Sequence, residues 1–183
     1  MAEIKSQPSN KNFLSPFGYK FFVKKTPTTN WFVQAVNLPS VSISPANIPT
    51  PFINIPLAGD HITYGDFSVT FRLDEDMTNY MELFNWMQAI AFPEKFEQYK
   101  AIAPRINGAI SGDADPLTGD SIYSDATVII LSSAMNPLTE ISFIDIFPTN
   151  LSQISFDSRL TDVLYVDATV SFAFRNFTVK SLN

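Results

Sequence analysis

Residues 66–73, DFSVTFRL, alternate strictly: Phe67, Val69, Phe71 and Leu73 fall on one side of an extended chain, Asp66, Ser68, Thr70 and Arg72 on the other. Successive side chains of a strand point to opposite faces, so this pattern specifies a strand with one face in a core and the other in water. The alternation returns near the end of the chain. There Val166, Ala168, Val170, Phe172 and Phe174 interleave with Asp167, Thr169, Ser171 and Arg175. A helix would scatter these residues around its circumference, so the fold has to stack half-buried strands on an apolar layer.

Further strands are predicted over residues 18–25, 31–36, 126–132, 139–147 and 151–157, with the last strand spanning 163–177. Residues 26–30, TPTTN, read as a turn, and so does the junction Phe147, Pro148, Thr149, Asn150 between two β-rich runs. Residues 39–59 carry prolines at 39, 45, 49, 51 and 56 among Val and Ile residues. Proline lacks a ladder donor and restricts the residue before it, so this stretch is excluded as a central strand and reads as an extended arm. Its Ile48, Phe52, Ile53 and Ile55 need an apolar surface to lie against, in the same chain or a neighbouring one. One helix is predicted near 77–91, where Tyr80, Leu83, Phe84, Met87, Ile90 and Ala91 recur at helical spacing before Pro93. Residues 1–12 read as a flexible polar tail, 13–183 as a single β domain, and 108–125 as a polar loop or hairpin insertion. The fold class is mainly β: an antiparallel sandwich or barrel with one packed helix.

The composition excludes several functions. With 183 residues the chain suffices for one domain with a substantial core. Twelve Lys and Arg against eighteen Asp and Glu give a net charge of −6, the wrong sign for gripping nucleic-acid phosphates. No cysteine is present, which excludes disulfides and thiolate metal sites. No apolar run reaches the ~18 residues of a membrane span, and MAEIKSQPSNKN lacks the apolar stretch of a secretory signal. The expectation is a chain made and kept in the cytoplasm, or released without a signal peptide. Only 16% of residues are charged while seventeen Phe, six Tyr and two Trp are present, which implies that part of the surface is covered by other subunits.

A search for chemistry finds no convergent set. The single histidine, His61, has no Ser or Cys motif beside it, and the six glycines form no phosphate-cradling loop. Asp74, Glu75 and Asp76 are accounted for by the dipole of the following helix. The loop acids Asp113, Asp115, Asp120 and Asp125 lack the spacing of a calcium loop. The reading is therefore no enzyme, no metal and no cofactor. A β-sandwich module binding carbohydrate or peptide is the alternative class, but the aromatics on single strand faces fit a core better. An assembly protein remains.

Four stretches in order, NLPSVSI, PFINIPLAGD, DFSVTFRLDEDMTNYMELFNWM and ISFIDIFPTNLSQISFDS, resemble the tail tube protein family of contractile-tailed bacteriophages. The resemblance rests on Leu38 and Pro39, on Ala58, Gly59 and Asp60, on the strand running into an acidic helix start with Trp86, and on Phe147, Pro148, Thr149 and Asn150. It spans roughly residues 30–177. Phe147 stands where the family commonly has tryptophan, and the segment LSPFGYKFFVKK and the 108–125 insertion differ from the simplest members. The member is left open: main tube, baseplate tube initiator, or another ring at a tube end.

The resemblance implies hexameric rings stacked into a hollow tube inside a contractile sheath, joined to a baseplate. The tube conducts DNA at ejection without binding it specifically, and it lies in the virion tail after assembly in the host cytoplasm. On that model Ile48, Pro49, Pro51, Phe52, Ile53 and Ile55 are candidates for ring stacking. Asp66, Ser68, Thr70, Arg72, Asp167, Thr169 and Ser171 form either a lumen-facing surface or an ordinary solvent face.

Overall fold

The structure is a computed structural model and describes residues 12–91, 122–157, 159 and 164–182. In chain order the first half contains β1 (Tyr19–Val23), α1 (Pro27–Trp31), β2 (Val33–Asn37), β3 (Val41–Ile43), β4 (Ala46–Pro49), β5 (Asn54–Leu57), β6 (Ile62–Tyr64) and β7 (Phe67–Arg72). Then follow α2 (Thr78–Ala91), β8 (Ser124–Leu131), β9 (Pro137–Leu151), β10 (Asp167–Ala173) and β11 (Asn176–Ser181).

Seven strands form one antiparallel sheet in the order β1-β8-β9-β10-β7-β2, with β11 also paired to β9. The sheet rolls into two layers because β9 belongs to both. Its first part lies between β8 and β11, with Phe143 opposite Ala126 and Phe177, whereas its last part pairs with β10, Asn150 opposite Ser171. The bend falls at Asp145, which adopts φ 55°, a left-handed conformation that aspartate tolerates better than most residues. Arg175 holds that corner: its Nε lies 3.0 Å from Asp145 Oδ2, and its backbone N–H donates to the Ile144 carbonyl at 3.1 Å.

The alternating residues do what their pattern requires. Phe67, Val69 and Phe71 of β7 and Ala168, Val170 and Phe172 of β10 are buried against Phe21, Val23, Ala126, Val128, Ile141, Phe143 and Ile146 of the other layer. Phe67 stacks on Phe143 with ring centres 4.3 Å apart and meets Phe21 at 5.9 Å. Each such Phe contributes about 1.5–3 kcal/mol by leaving water.

Helix α2 seats Leu83 and Trp86 in the same core, and the Trp86 indole N–H donates to the Ile122 carbonyl at 2.8 Å. Its buried side is Asn79, Leu83, Trp86 and Ala89, rotated from the predicted stripe, and Phe84 and Ala91 are exposed. Asn79 is fully buried and clamps the end of β7 to the helix start: its Nδ2 donates to the Arg72 carbonyl at 2.8 Å. The acids Asp74, Glu75 and Asp76 precede the helix with Met77, at φ 54°, in between, and the first turn holds no acid. They stand at its N-terminal end, as expected, ahead of the first turn and not within it.

Three strand boundaries also differ from expectation. Residues 27–31 are a short helix, with Pro27 in its first turn, where the missing N–H costs nothing. The second strand consequently begins at Val33, and Trp31 stands 87% exposed. The expected final strand is two, β10 and β11, separated at the Asp145 corner. The third difference concerns residues 147–150, treated below. Residues 1–11, the region 93–107 and the part of the insertion before residue 122 lie outside the described residues, while Ser124 and Asp125, expected in that loop, belong to β8.

Candidate assembly surfaces

The polar residues of β7 and β10 share the outer face of one layer. Register places Arg72 opposite Asp167, Thr70 opposite Thr169 and Ser68 opposite Ser171. The side chains satisfy one another. Arg72 Nε donates to Asp167 Oδ1 at 3.0 Å, the Thr70 and Thr169 hydroxyls lie 3.0 Å apart, and Asn37 Nδ2 donates to Ser68 Oγ at 3.1 Å. The Arg72 guanidinium also lies 4.9 Å from the centre of the Tyr165 ring. The outcome is a face of small polar groups on which Arg72 is matched by Asp167. Asp66 sits one residue before β7, outside the ladder, and is exposed.

The proline-rich segment is not a single extended strand. It folds back on itself as a two-stranded ribbon reaching Tyr64, with β3 paired to β6 and β4 to β5. Pro49 and Pro56 are accommodated because each strand of a ribbon has one side facing away from its partner. At the tip the Thr50 N–H donates to the Ile53 carbonyl at 3.1 Å and the Ile53 N–H returns to Thr50 Oγ1 at 3.2 Å, so Pro51 and Phe52 are presented outward. Phe52 is 93% and Ile53 66% exposed. Ile48 and Ile55 face each other across the ladder, both nearly half exposed.

Gly59 shows why the Ala58, Gly59, Asp60 element has its sequence. A Cβ there would lie 1.9 Å from the Ser44 carbonyl oxygen, where the two ladders of the ribbon meet, so only glycine fits. The base of the ribbon is tied to the body. Tyr64 packs 5.4 Å from both Phe174 and Phe177 and donates its hydroxyl to Asn176 Oδ1 at 2.9 Å. The Gly65 N–H bonds the Ser40 carbonyl at 2.9 Å, just after Leu38 and the buried Pro39.

The junction Phe147, Pro148, Thr149, Asn150 is not a turn between strands. It lies inside β9, and residues 152–157, expected as a strand, form none. The physical reason is edge position. Among the described residues β9 pairs with β10 alone from Phe147 onward, its link to β8 ending at Ile146, and an edge strand has one side on which a proline's missing N–H removes no ladder bond. The register shifts between Ser171 and Phe172, facing Asn150 and Pro148, which leaves Thr149 as the extra residue of a bulge, its hydroxyl donating to the Ser171 carbonyl at 3.1 Å. Strand β2 is the opposite end of this layer, so among the described residues the polar-faced layer has two open edges.

The residues weighed for chemistry stay apart. His61 lies on the ribbon with Nδ1 2.6 Å from Asp60 Oδ1, both side chains almost fully exposed. Asp125 accepts the Asp145 N–H at 3.3 Å. Asp113, Asp115 and Asp120 lie outside the described residues. Among the described residues no three His, Asp or Glu side chains gather as a metal site. The exposed pair Asp157 and Arg159 meets at 2.8 Å, and that hydrogen bond holds the Asp157 carboxyl below the usual range.

One surface escaped the sequence reading. The rolled sheet does not close between β1 and β2, and α1 joins them across the gap. A groove of about 900 Å³ opens there, lined by Phe17, Tyr19, Phe22, Pro27, Trp31 and Val33 among others. Burial in its wall pushes the Tyr19 hydroxyl above its ordinary pKa. The signal was present, in that Phe22 lies on the solvent side of an alternating strand, but a single exposed aromatic carries little information.

The chain matches no protein-family model, and no curated protein matches it. Solved structures do match. A chain of the PVC sheath/tube terminator, from an extracellular contractile injection system, aligns with TM-score 0.61 and 13% identity over 93% of this chain and 98% of that one. A chain of the anti-feeding prophage tube terminating cap aligns with TM-score 0.58 and 10% identity over 99% of both. A chain of the PVC sheath-tube complex gives 0.56 and 14% over 94% of both. At these identities the likeness is one of fold: the chain has the antiparallel β architecture, with its packed helix, found in the tube, cap and baseplate assemblies of contractile injection systems.

Proposed function

We propose that the chain is a structural ring subunit of a contractile phage-type tail, without catalysis, cofactor or metal. Hexameric rings stack into the tail tube, a conduit for DNA inside a sheath and above a baseplate, in particles assembled in the host cytoplasm. The observation that carries this reading is the combination, among the described residues, of two open edges on the polar-faced layer with an apolar ribbon projecting from the same layer. Edge-to-edge pairing of β2 with residues 147–151 of a neighbour removes both edges and turns the separate layers into one barrel around a lumen. The ribbon then contacts the next ring. Such a head-to-tail contact propagates along an axis without limit.

The polar face suits the lining of that barrel. Ser68, Thr70, Thr169 and Ser171 carry no charge, and Arg72 is engaged by Asp167, so a passing polyanion meets no uncompensated cation. Negative-stain micrographs of the purified chain test the proposal: closed rings and hollow stacks are expected, and a chain that stays monomeric at high concentration rejects it.

The end-ring reading is kept because two of the matching structures are described as a terminator and a terminating cap. Copies per particle separate the readings. A main tube subunit is among the most abundant proteins of the particle, whereas an initiator or terminator is present as one or a few rings.

A further inference from the structure

Among the described residues the rolled sheet ends in four open edges, and they are not alike. Two belong to the polar-faced layer, at β2 and residues 147–151, and two to the other layer, at β1 and β11. An edge strand offers unpaired N–H and C=O groups to any strand that meets it, so each edge is either used or blocked. Along β1 the Gly18 carbonyl and the Lys24 N–H bond β8. Alternate residues of an antiparallel strand turn the other way, so Val23 presents its backbone to the open side. That position is already filled. Asn30 of α1 accepts the Val23 N–H at 2.9 Å and returns its Nδ2 to the Val23 carbonyl at 3.1 Å, as the peptide group of a neighbouring strand would. Thr29 holds α1 in place, its buried hydroxyl donating to the Asn79 carbonyl at 3.2 Å.

At β11 the Leu182 N–H bonds the Leu138 carbonyl beside it, so Phe177 faces the open side. Its N–H donates to Asn176 Oδ1 at 2.8 Å, the same oxygen that takes the Tyr64 hydroxyl, and the Tyr64 ring stands against Phe177. Exposed lysines reinforce both blocks: Lys20 in β1, Lys24 just beyond it and Lys180 in β11. The polar-faced layer differs on both counts. Strand β2 and residues 147–151 carry no charge. Their side-chain bonds run to Phe32, just before β2, and to Ser68 and Ser171 of the layer itself. Pro148 withholds one donor without filling the edge.

We propose that Asn30 and Asn176 determine which edges of this chain join neighbours: they seal the layer of β1 and β11, so that edge-to-edge pairing is confined to β2 and residues 147–151. The inference rests on the ring closure proposed above and adds the residues that make it selective.

The test compares the double variant Asn30→Ala, Asn176→Ala with Val128→Ala, a core truncation that lowers stability without touching an edge. Negative-stain microscopy and thioflavin T fluorescence read the products. The double variant is expected to lose closed rings to irregular, thioflavin-positive aggregates, and Val128→Ala to keep its rings. The two seals use different atoms, which gives a second comparison. Asn176 serves as an acceptor, so Asn176→Asp is expected to form rings normally. Asn30→Asp loses the bond to the Val23 carbonyl and is expected to aggregate irregularly. If circular dichroism shows the double variant unfolded, this pair of single variants decides. Rings from the double variant in the parent's proportion overturn the seals and leave ring closure standing, as do equal aggregates from Val128→Ala. A parent chain that stays monomeric rejects ring closure. The seals are then judged by whether the double variant self-associates where Val128→Ala does not, and if it does not, both readings fall.

Discussion

The polar face of β7 and β10 and the ribbon of β3 to β6 are both strand surfaces turned to water, yet they are finished to different degrees. On the first, the Thr70 and Thr169 hydroxyls pair, Ser68 accepts from Asn37 and Arg72 meets Asp167, so its polar groups are largely engaged with one another. The second exposes Val41, Ile43, Ile48, Phe52, Ile53, Ile55, Leu57 and Ile62, with no covering apolar layer among the described residues. A two-stranded ribbon is marginal alone in water and draws stability from whatever packs on it. The first surface is complete in one chain, and the second is half of an interface.

The largest expected effect lies in neither region and calibrates both. Phe67→Ala removes the ring stacked on Phe143 in the shared core and is expected to cost about 3–5 kcal/mol in denaturant unfolding. Asn79→Ala leaves the Arg72 carbonyl without its donor and is expected to cost about 1–3 kcal/mol. A loss under ~0.5 kcal/mol there would show that the β7 end and α2 are coupled by apolar packing alone.

The ribbon behaves in the opposite way. Phe52→Asp changes monomer stability by less than ~0.5 kcal/mol, because the side chain touches little, while stacking seen by sedimentation is lost. Deleting residues 44–56 has the same result, and unchanged assembly after that deletion favours a ligand-binding module over a ring subunit. Pro148→Ala, on the open edge, is expected to impair ring closure more than monomer folding. The smallest effect belongs to the polar face: Thr70→Val costs a few tenths of a kcal/mol, within ~0.5, and leaves assembly unchanged.

What was legible in the sequence follows the same division. Strict alternation located β7 and β10 and their buried sides, since period-two patterning is a direct consequence of strand geometry. The prolines of 39–59 marked a segment outside the main sheet, but its pairing into a ribbon was hidden, because β4 and β5 are short and present no buried face to create a pattern. At Phe147, Pro148, Thr149 and Asn150 local turn chemistry misled. Proline and asparagine there serve a bulged edge strand, and edge position is a property of the assembled sheet. The groove was invisible for a related reason: it exists only because β1 and β2 fail to pair.

Amide hydrogen exchange, measured on the free chain and on the assembled form, tests most directly the claim that the ribbon is a half-interface. In the free chain, amides of residues 41–64 are expected to exchange far faster than those of β7 and β10. On assembly the ribbon is expected to become strongly protected, with little change in β7. Equal exchange of residues 41–64 in the two forms would contradict the account.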